Sequence, residues 1–254
     1  MVVEYETKGR VAIITLNRPE ARNAVNAAVA TGLEKALDDY ESNPDLWAAI
    51  LTANGKAFCA GADLKEIAAG NGGGLSTEKG GFAGIVSRDR TKPLIAAVTG
   101  SALAGGTEIA LSCDIIIAAE TTVFGLPEVK RSLVAAAGGL FRLPRAIGMA
   151  PALECILTGD PLASERAYQL GMINQVCPAD EVMDAAHKMA DRLCANAPLA
   201  VQASMQIAKR AFMDDDETLF KAGGKAFVKI AGSEDFKEGP RAFIEKRAPN
   251  WQGK

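Results

Sequence analysis

Three short runs in this chain are apolar at consecutive positions, and consecutive positions in a strand point to opposite faces of a sheet. They are Trp47 to Thr52, Leu94 to Thr99, and Asp114 to Ala118, the last built on Ile115-Ile116-Ile117. A strand that is apolar on both faces must be covered on both, which marks a parallel sheet layered with helices. Around these runs the apolar period changes. Val25, Val29, Leu33, Ala36, Leu37 and Tyr40 follow helical spacing, with Glu34, Lys35, Asp38 and Asp39 on the other side. Val11 to Leu16 is a further β-branched run, stopped by the turn Asn17-Arg18-Pro19. Strands alternating with helices make this an α/β chain with covered sheets.

Beyond about Pro144 the pattern becomes all helical. Ser164 is placed to cap a helix that stops at Gly171. Val182, Ala186, Met189 and Leu193 mark an amphipathic helix, and Pro198 suits the start of the next. Asp214-Asp215-Asp216 and Ser233 precede two more. The chain of 254 residues therefore divides into a sheet-containing part, 1–190, and a helical part, 191–254. Gly70-Asn71-Gly72-Gly73-Gly74 follows a helix rather than a strand, so it reads as a flexible loop and not as a phosphate-binding one.

Composition removes several chemistries. There is one histidine, His187, and it falls with Asp184, Lys188 and Asp191 on the polar side of its helix. A Ser-His-Asp triad or a Cys-His pair would have to run through that residue, and zinc sites of two or three histidines are excluded. No metal site is expected. With 28 Lys+Arg against 31 Asp+Glu there is no basic footprint, so nucleic acid is not an expected partner. Cys59, Cys113, Cys155, Cys177 and Cys194 are odd in number, widely spaced and free of CxxC, as in a reduced intracellular protein. No apolar stretch approaches a membrane span, and the first residues carry Glu4 and Glu6 instead of an apolar leader. The expectation is a cytoplasmic protein with no membrane partner.

Two segments put small residues at a strand-to-helix transition: Ala57 to Lys65 after the strand ending near Thr52, and Gly100 to Glu108 after the strand ending near Thr99. Small side chains let backbone N–H groups approach a ligand, and a helix N-terminus adds a favourable dipole. Two such N–H groups on one oxygen would form an oxyanion hole. The same glycines could equally serve tight packing alone. Glu108 lies in the first turn of the second helix, where an acid also suits the dipole. Glu128 follows Pro127 among apolar neighbours. Two acids in apolar settings, with no usable histidine, point towards carboxylate acid–base chemistry.

At these residues the chain resembles the crotonase superfamily of enoyl-CoA hydratases and isomerases. Asn17-Arg18-Pro19 with Asn23-Ala24 is similar to its N-terminal signature, and Ala57 to Leu64 to its first oxyanion segment. Lys92 to Val98, running on through Glu108 to Cys113-Asp114, is similar to the second. Phe124 to Glu128, Gly138-Gly139, Arg142-Leu143-Pro144-Arg145, Leu157-Thr158-Gly159 and Phe243 to Arg247 follow in the same order.

The resemblance implies a spiral of ββα units, with residues 191–254 forming a helical trimerisation region and the whole a trimer or a dimer of trimers. It implies an acyl-CoA thioester as substrate, with coenzyme A entering only as part of it and no separate cofactor. Backbone N–H groups of Ala62 and Gly105 would hold the thioester oxygen. Ala60, Asp63, Leu64 and Lys65 would line the pantetheine and adenine pocket, Arg22 and Ala24 would touch the nucleotide end, and Lys246 would reach the phosphates. Both acids, Glu108 and Glu128, are retained, which implies hydration of a trans-2-enoyl-CoA. Carnitinyl-CoA dehydratase, an isomerase of the same superfamily and a non-catalytic acyl-CoA-binding protein are the alternatives. Ala104, Leu126, Ser132 and Ala135 depart from the family pattern. The stretch Gly70 to Gly81 is expected to border the acyl tunnel.

Overall fold

The protein is described by a computed structural model over residues 1–254. It opens with β1 (Val3–Lys8), β2 (Val11–Leu16) and α1 (Ala27–Ser42), followed by β3 (Ala48–Ala53), β4 (Ala57–Cys59) and α2 (Leu64–Ala68). A small hairpin of β5 (Ser76–Thr77) and β6 (Gly81–Phe82) leads to β7 (Leu94–Val98), β8 (Ser101–Leu103) and α3 (Gly105–Ser112). Then come β9 (Ile115–Ala119) and β10 (Val123–Gly125), a 3-10 turn over Pro127–Arg131, α4 (Gly139–Ile147) and α5 (Met149–Thr158). The chain continues through β11 (Leu162–Ala163), α6 (Ser164–Gln169), β12 (Gln175–Cys177) and α7 (Val182–Cys194). It closes with α8 (Pro198–Ala208), α9 (Asp216–Ala231) and α10 (Glu234–Glu245). No helix is long and apolar enough to cross a membrane.

One unit recurs. A long strand enters a six-stranded sheet, a three-residue strand enters a four-stranded sheet, and a helical turn follows: β3-β4-α2, β7-β8-α3, and β9-β10 with the 3-10 turn. The large sheet runs β1-β2-β3-β7-β9-β12, parallel from β2 onward, and the small one runs β11-β10-β8-β4. This is the crotonase-like α/β spiral the resemblance implies.

The two-faced strands are explained by what covers them. Ala49, Leu51, Leu94, Ala96, Val98, Ile116 and Ala118 pack into the main core with α1 and the small sheet. Their alternates Ile50, Ile95, Ala97 and Ile117 pack against Val182, Ala185, Ala186 and Ala190 of α7. Each of those four isoleucine or alanine side chains is fully buried. Fully burying an isoleucine contributes roughly 1.5–3 kcal/mol before entropy.

The structure corrects four sequence expectations. The chain is not all helical after Pro144, because β11 pairs with β10 and β12 pairs with β9; strands of two or three residues are too short to show a period. Ser164 does not cap α6: Ala163 holds the N-cap position, and the Ser164 hydroxyl is buried without a partner. That helix also ends at Gln169, short of Gly171, which lies beyond it in the left-handed region at φ 91°. The glycine patch is partly ordered as a 3-10 turn over Gly72–Leu75, leading into the β5–β6 hairpin.

The helical end is tied to the sheets at Asp114. Its carboxylate takes Arg90 at 2.8 Å, Lys209 at the end of α8 at 2.5 Å, and the Leu94 N–H at 2.8 Å. Burial works to raise this carboxyl, but Arg90 and Lys209 outweigh it and hold it below the usual carboxylate range. Removing one partner from a buried ionic cluster leaves the others uncompensated. Asp114→Asn is therefore expected to lower unfolding free energy by about 3 kcal/mol at neutral pH in urea denaturation. A depressed folded-state pKa gives stability above the unfolded value and loses it as pH falls. The gap between the two proteins should narrow in acid.

Candidate active site

The first small-residue segment is held by the N-terminal signature. Asn23 is buried in a left-handed conformation, φ 54°. Its amide donates to the Asn54 and Ala57 carbonyls at 2.8 Å each, and its oxygen accepts from the Arg18 N–H at 2.7 Å. Arg18 in turn reaches the Asp63 carboxylate at 2.7 Å and the Ala24 carbonyl at 3.0 Å. Val25 then pairs like a strand with the segment: its N–H donates to the Gly61 carbonyl at 2.8 Å and its carbonyl accepts from the Asp63 N–H at 2.9 Å. In a parallel bridge of this kind the N–H of the residue between, Ala62, points away from Val25, and Ala62 itself is on a cavity wall.

The second segment approaches the first at Gly61 and Gly105. A Cβ on Gly61 would stand 2.9 Å from the Gly105 nitrogen and 2.8 Å from the Ala104 Cβ, and Gly61 itself has φ 90°. A Cβ on Gly105 would stand 2.4 Å from the Phe82 ring. The glycines thus serve packing and access together. Gly105 is the first residue of α3, so its N–H is one of the helix's unpaired donors. Ala104 before it adopts φ 53°, ψ −128°, a conformation better suited to glycine. Ser132 also sits in the left-handed region, φ 55°, where the family pattern has glycine.

Between these segments lies a cavity of about 810 Å³. Arg22, Ala60, Ala62 and Leu64 line one part, and Gly105, Glu108, Glu128, Leu133, Val134, Ala136 and Ala137 line another. Leu75, Ser76, Gly81 and Phe82 close a side, so the stretch expected at the tunnel does border the cavity. Ala24, Asp63, Lys65 and Lys246 are not on the wall. The Asp63 carboxylate is taken by Arg18 and by the Lys65 N–H, capping α2. Lys65 is exposed on α2, and Lys246 is exposed at the far end of α10.

Glu108, only 3% exposed, is raised in pKa by burial above all. The Gly139 N–H, donating to its Oε1 at 2.9 Å, opposes that, and the nearby Glu128 charge adds to it. Glu128 is also raised by burial, and its Oε2 is buried with no partner in the chain. Two carboxyls that bind protons more readily than usual thus face one cavity. Sequence reasoning missed Phe82, the donor role of Gly139, and Arg131, which also lines the wall. The Gly138-Gly139 pair was the one visible signal among them.

Glu108→Gln keeps an acceptor for Gly139 and removes the charge that burial opposes. A carboxyl with a raised folded-state pKa contributes stability at low pH and loses it as pH rises. The variant should therefore unfold at a higher urea midpoint than the parent at alkaline pH. The difference should vanish as pH approaches the ordinary carboxylate range, and an alkaline midpoint below the parent's would contradict the burial argument.

Comparison with known proteins places the chain. The family model described as enoyl-CoA hydratase/isomerase matches residues 6–254. The enoyl-CoA hydratase EchA19 of Mycobacterium tuberculosis is 40% identical over 98% of this chain and 96% of its own. A carnitinyl-CoA dehydratase of Salmonella typhi is 38% identical over 97% of this chain and 96% of its own. The crystal structure of an enoyl-CoA hydratase from Mycobacterium tuberculosis H37Rv superposes with a TM-score of 0.96 at 48% identity, covering 100% of this chain and 99% of that one. Given these matches and the architecture, the chain belongs to the enoyl-CoA hydratase/isomerase family.

Proposed function

We propose that the protein adds water across the double bond of a trans-2-enoyl-CoA to give a 3-hydroxyacyl-CoA. The observation that carries this reading is the pair Glu108 and Glu128 on one cavity wall, both raised by burial but differently bonded. Glu108 accepts the Gly139 N–H, which opposes the effect of burial and favours a base, whereas Glu128 Oε2 has no donor, which suits a group that gives up a proton. A base and an acid are what hydration needs.

In this mechanism the thioester oxygen sits on the N–H groups of Ala62 and Gly105. Water lies between the two acids. Glu108 takes a proton from it as the oxygen bonds to Cβ, charge moves onto the thioester oxygen, and Glu128 delivers a proton to Cα. General acid–base assistance contributes typically 10²–10⁴, and losing one oxyanion donor costs about 10²–10³. The steps use only water and the chain's own groups. Arg22, Ala60 and Leu64 on the cavity wall would hold the coenzyme A portion, with the exposed Lys65 and, from a neighbouring copy, Lys246 reaching its phosphates. A second reading, dehydration of carnitinyl-CoA, has the 38% identical relative of that name in its favour and uses the same acids.

Residues 191–254 would form the homo-oligomer, a trimer or a dimer of trimers. Supporting this, α9 buries no residue, and Phe220 and Phe243 are 81% and 85% exposed. Large apolar side chains left in water in this way mark association surfaces. Light scattering should give the mass of three or six chains, and a single-chain mass would overturn the assignment.

The enzymatic test is loss of the conjugated thioester absorbance when crotonyl-CoA is mixed with the protein. Glu128→Gln is expected to lower kcat by roughly 10² or more. Inactivity towards short, medium and bulky enoyl-CoAs alike would refute the hydratase reading.

A further inference from the structure

We propose that the acyl chain accepted by this cavity ends in a carboxylate, and that Arg131 is the residue that selects it. The inference rests on the hydratase reading for the orientation of the substrate and deepens it to a substrate class.

Arg131 and Glu128 belong to one 3-10 turn, Pro127–Arg131, three residues apart. Side chains so spaced in a 3-10 turn eclipse one another, about 6 Å apart along the axis. Both line the cavity. If Glu128 serves Cα, the guanidinium stands within a side chain's reach of atoms a few bonds further along the acyl chain.

The charge at Arg131 is also unspent. It makes no ion pair and no side-chain hydrogen bond within the chain, whereas its neighbour Lys130 pairs with Asp160 at 2.6 Å. The cavity has four charged residues: Arg22, Glu108, Glu128 and Arg131. Arg22 lies in the segment whose carbonyl accepts from the Ala60 N–H at 3.1 Å, on the coenzyme side, and the two acids are occupied by the reaction. Arg131 is therefore the charged group left to the acyl chain, and Leu133, Val134, Ala136 and Ala137 follow it along the wall.

A guanidinium fork matches a carboxylate with two parallel hydrogen bonds, and apolar walls strengthen the attraction relative to open water. A plain alkyl end would gain nothing from it. A trimethylammonium end, as in a carnitinyl group, would meet a like charge. Arg131 also acts on Glu128: against the dominant effect of burial, its charge draws that carboxyl down. A substrate carboxylate would neutralise that pull, so the matching acyl chain would help Glu128 keep the proton destined for Cα.

The test uses saturated thioesters, which bind without reacting, on the intact protein. Glutaryl-CoA, pentanoyl-CoA and 4-trimethylammoniobutanoyl-CoA are compared by calorimetry, with Arg131→Leu and Arg131→Lys alongside. Glutaryl-CoA should bind about fivefold more tightly than pentanoyl-CoA, a gap that allows for the exposure of Arg131, and the cationic thioester should bind least tightly. Arg131→Leu should erase the order, and Arg131→Lys should keep it with a smaller gap. Equal affinities in the parent protein, or an order that survives in Arg131→Leu, would overturn the proposal. If crotonyl-CoA is hydrated but no order is found, Arg131 loses this role and the hydratase reading stands. If the order is found but no enoyl-CoA is hydrated, the reverse holds.

Discussion

The site depends on a contact between two stretches of backbone. The β4–α2 and β8–α3 connections touch at Gly61, Gly105 and Gly106, so closely that a Cβ on Gly106 would stand 2.1 Å from the Cys59 carbonyl oxygen. Each connection carries one of the N–H groups that the proposed mechanism uses, at Ala62 and at Gly105, and the close approach brings the two connections together. The N-terminal signature braces the first connection from behind through Asn23, Arg18 and Asp63. Thr107 braces the second, its hydroxyl accepting the Gly125 N–H at 2.9 Å and donating to the Ala102 carbonyl at 2.7 Å. Residues that touch no substrate thus set the geometry of those that would.

The same contact places the acids. Because α3 begins at Gly105, Glu108 falls in its first turn and points at the N–H of Gly139 in the next helix. Glu128 comes from the third repeat of the ββα unit, one short strand further along the small sheet. Successive turns of the spiral bring Ala62, then Gly105 with Glu108, then Glu128 to the wall of one cavity, the residues to which the proposed mechanism gives the donors and the acids. The two acids share a burial cost that raises both, and they differ in the hydrogen bonds that oppose it.

Much of this was legible in the residues. Strands buried on both faces announce themselves, because Leu94 to Val98 and Ile115 to Ile117 have no polar face to show. The three-residue strands β4, β8 and β10 do not, since they lie inside the motifs and are too short for a pattern. β1 was missed for a related reason: its alternating Glu4, Glu6 and Lys8 belong to an edge strand exposed on one side. At the site, the glycines, the two glutamates and the small residues stood out by type and order. Asp63 did too, but its carboxylate is engaged with Arg18, a partner 45 positions away that spacing cannot reveal. Arg131 is the opposite case, an ordinary surface cation by sequence whose setting emerges only when the turn it ends is folded against the cavity. Ser164 looked like a cap and is a buried hydroxyl instead, because the chain enters α6 through a strand pair with β10.

The knot at Asp114 has a consequence for how the C-terminal helices are held. Their root is fixed by charges, through Lys209 and by Gln206 donating to the Arg90 carbonyl, while α9 contributes nothing to the buried core. α10 is held more firmly: Asp235 and Ala242 are buried, the Asp235 carboxylate accepts the Gln252 and Gly253 N–H groups, and Trp251 donates to the Ala195 carbonyl at 2.8 Å. The C-terminal helices are thus pinned at two places, at Lys209 after α8 and at Trp251 in the tail, and α9 between them is the span that packs least.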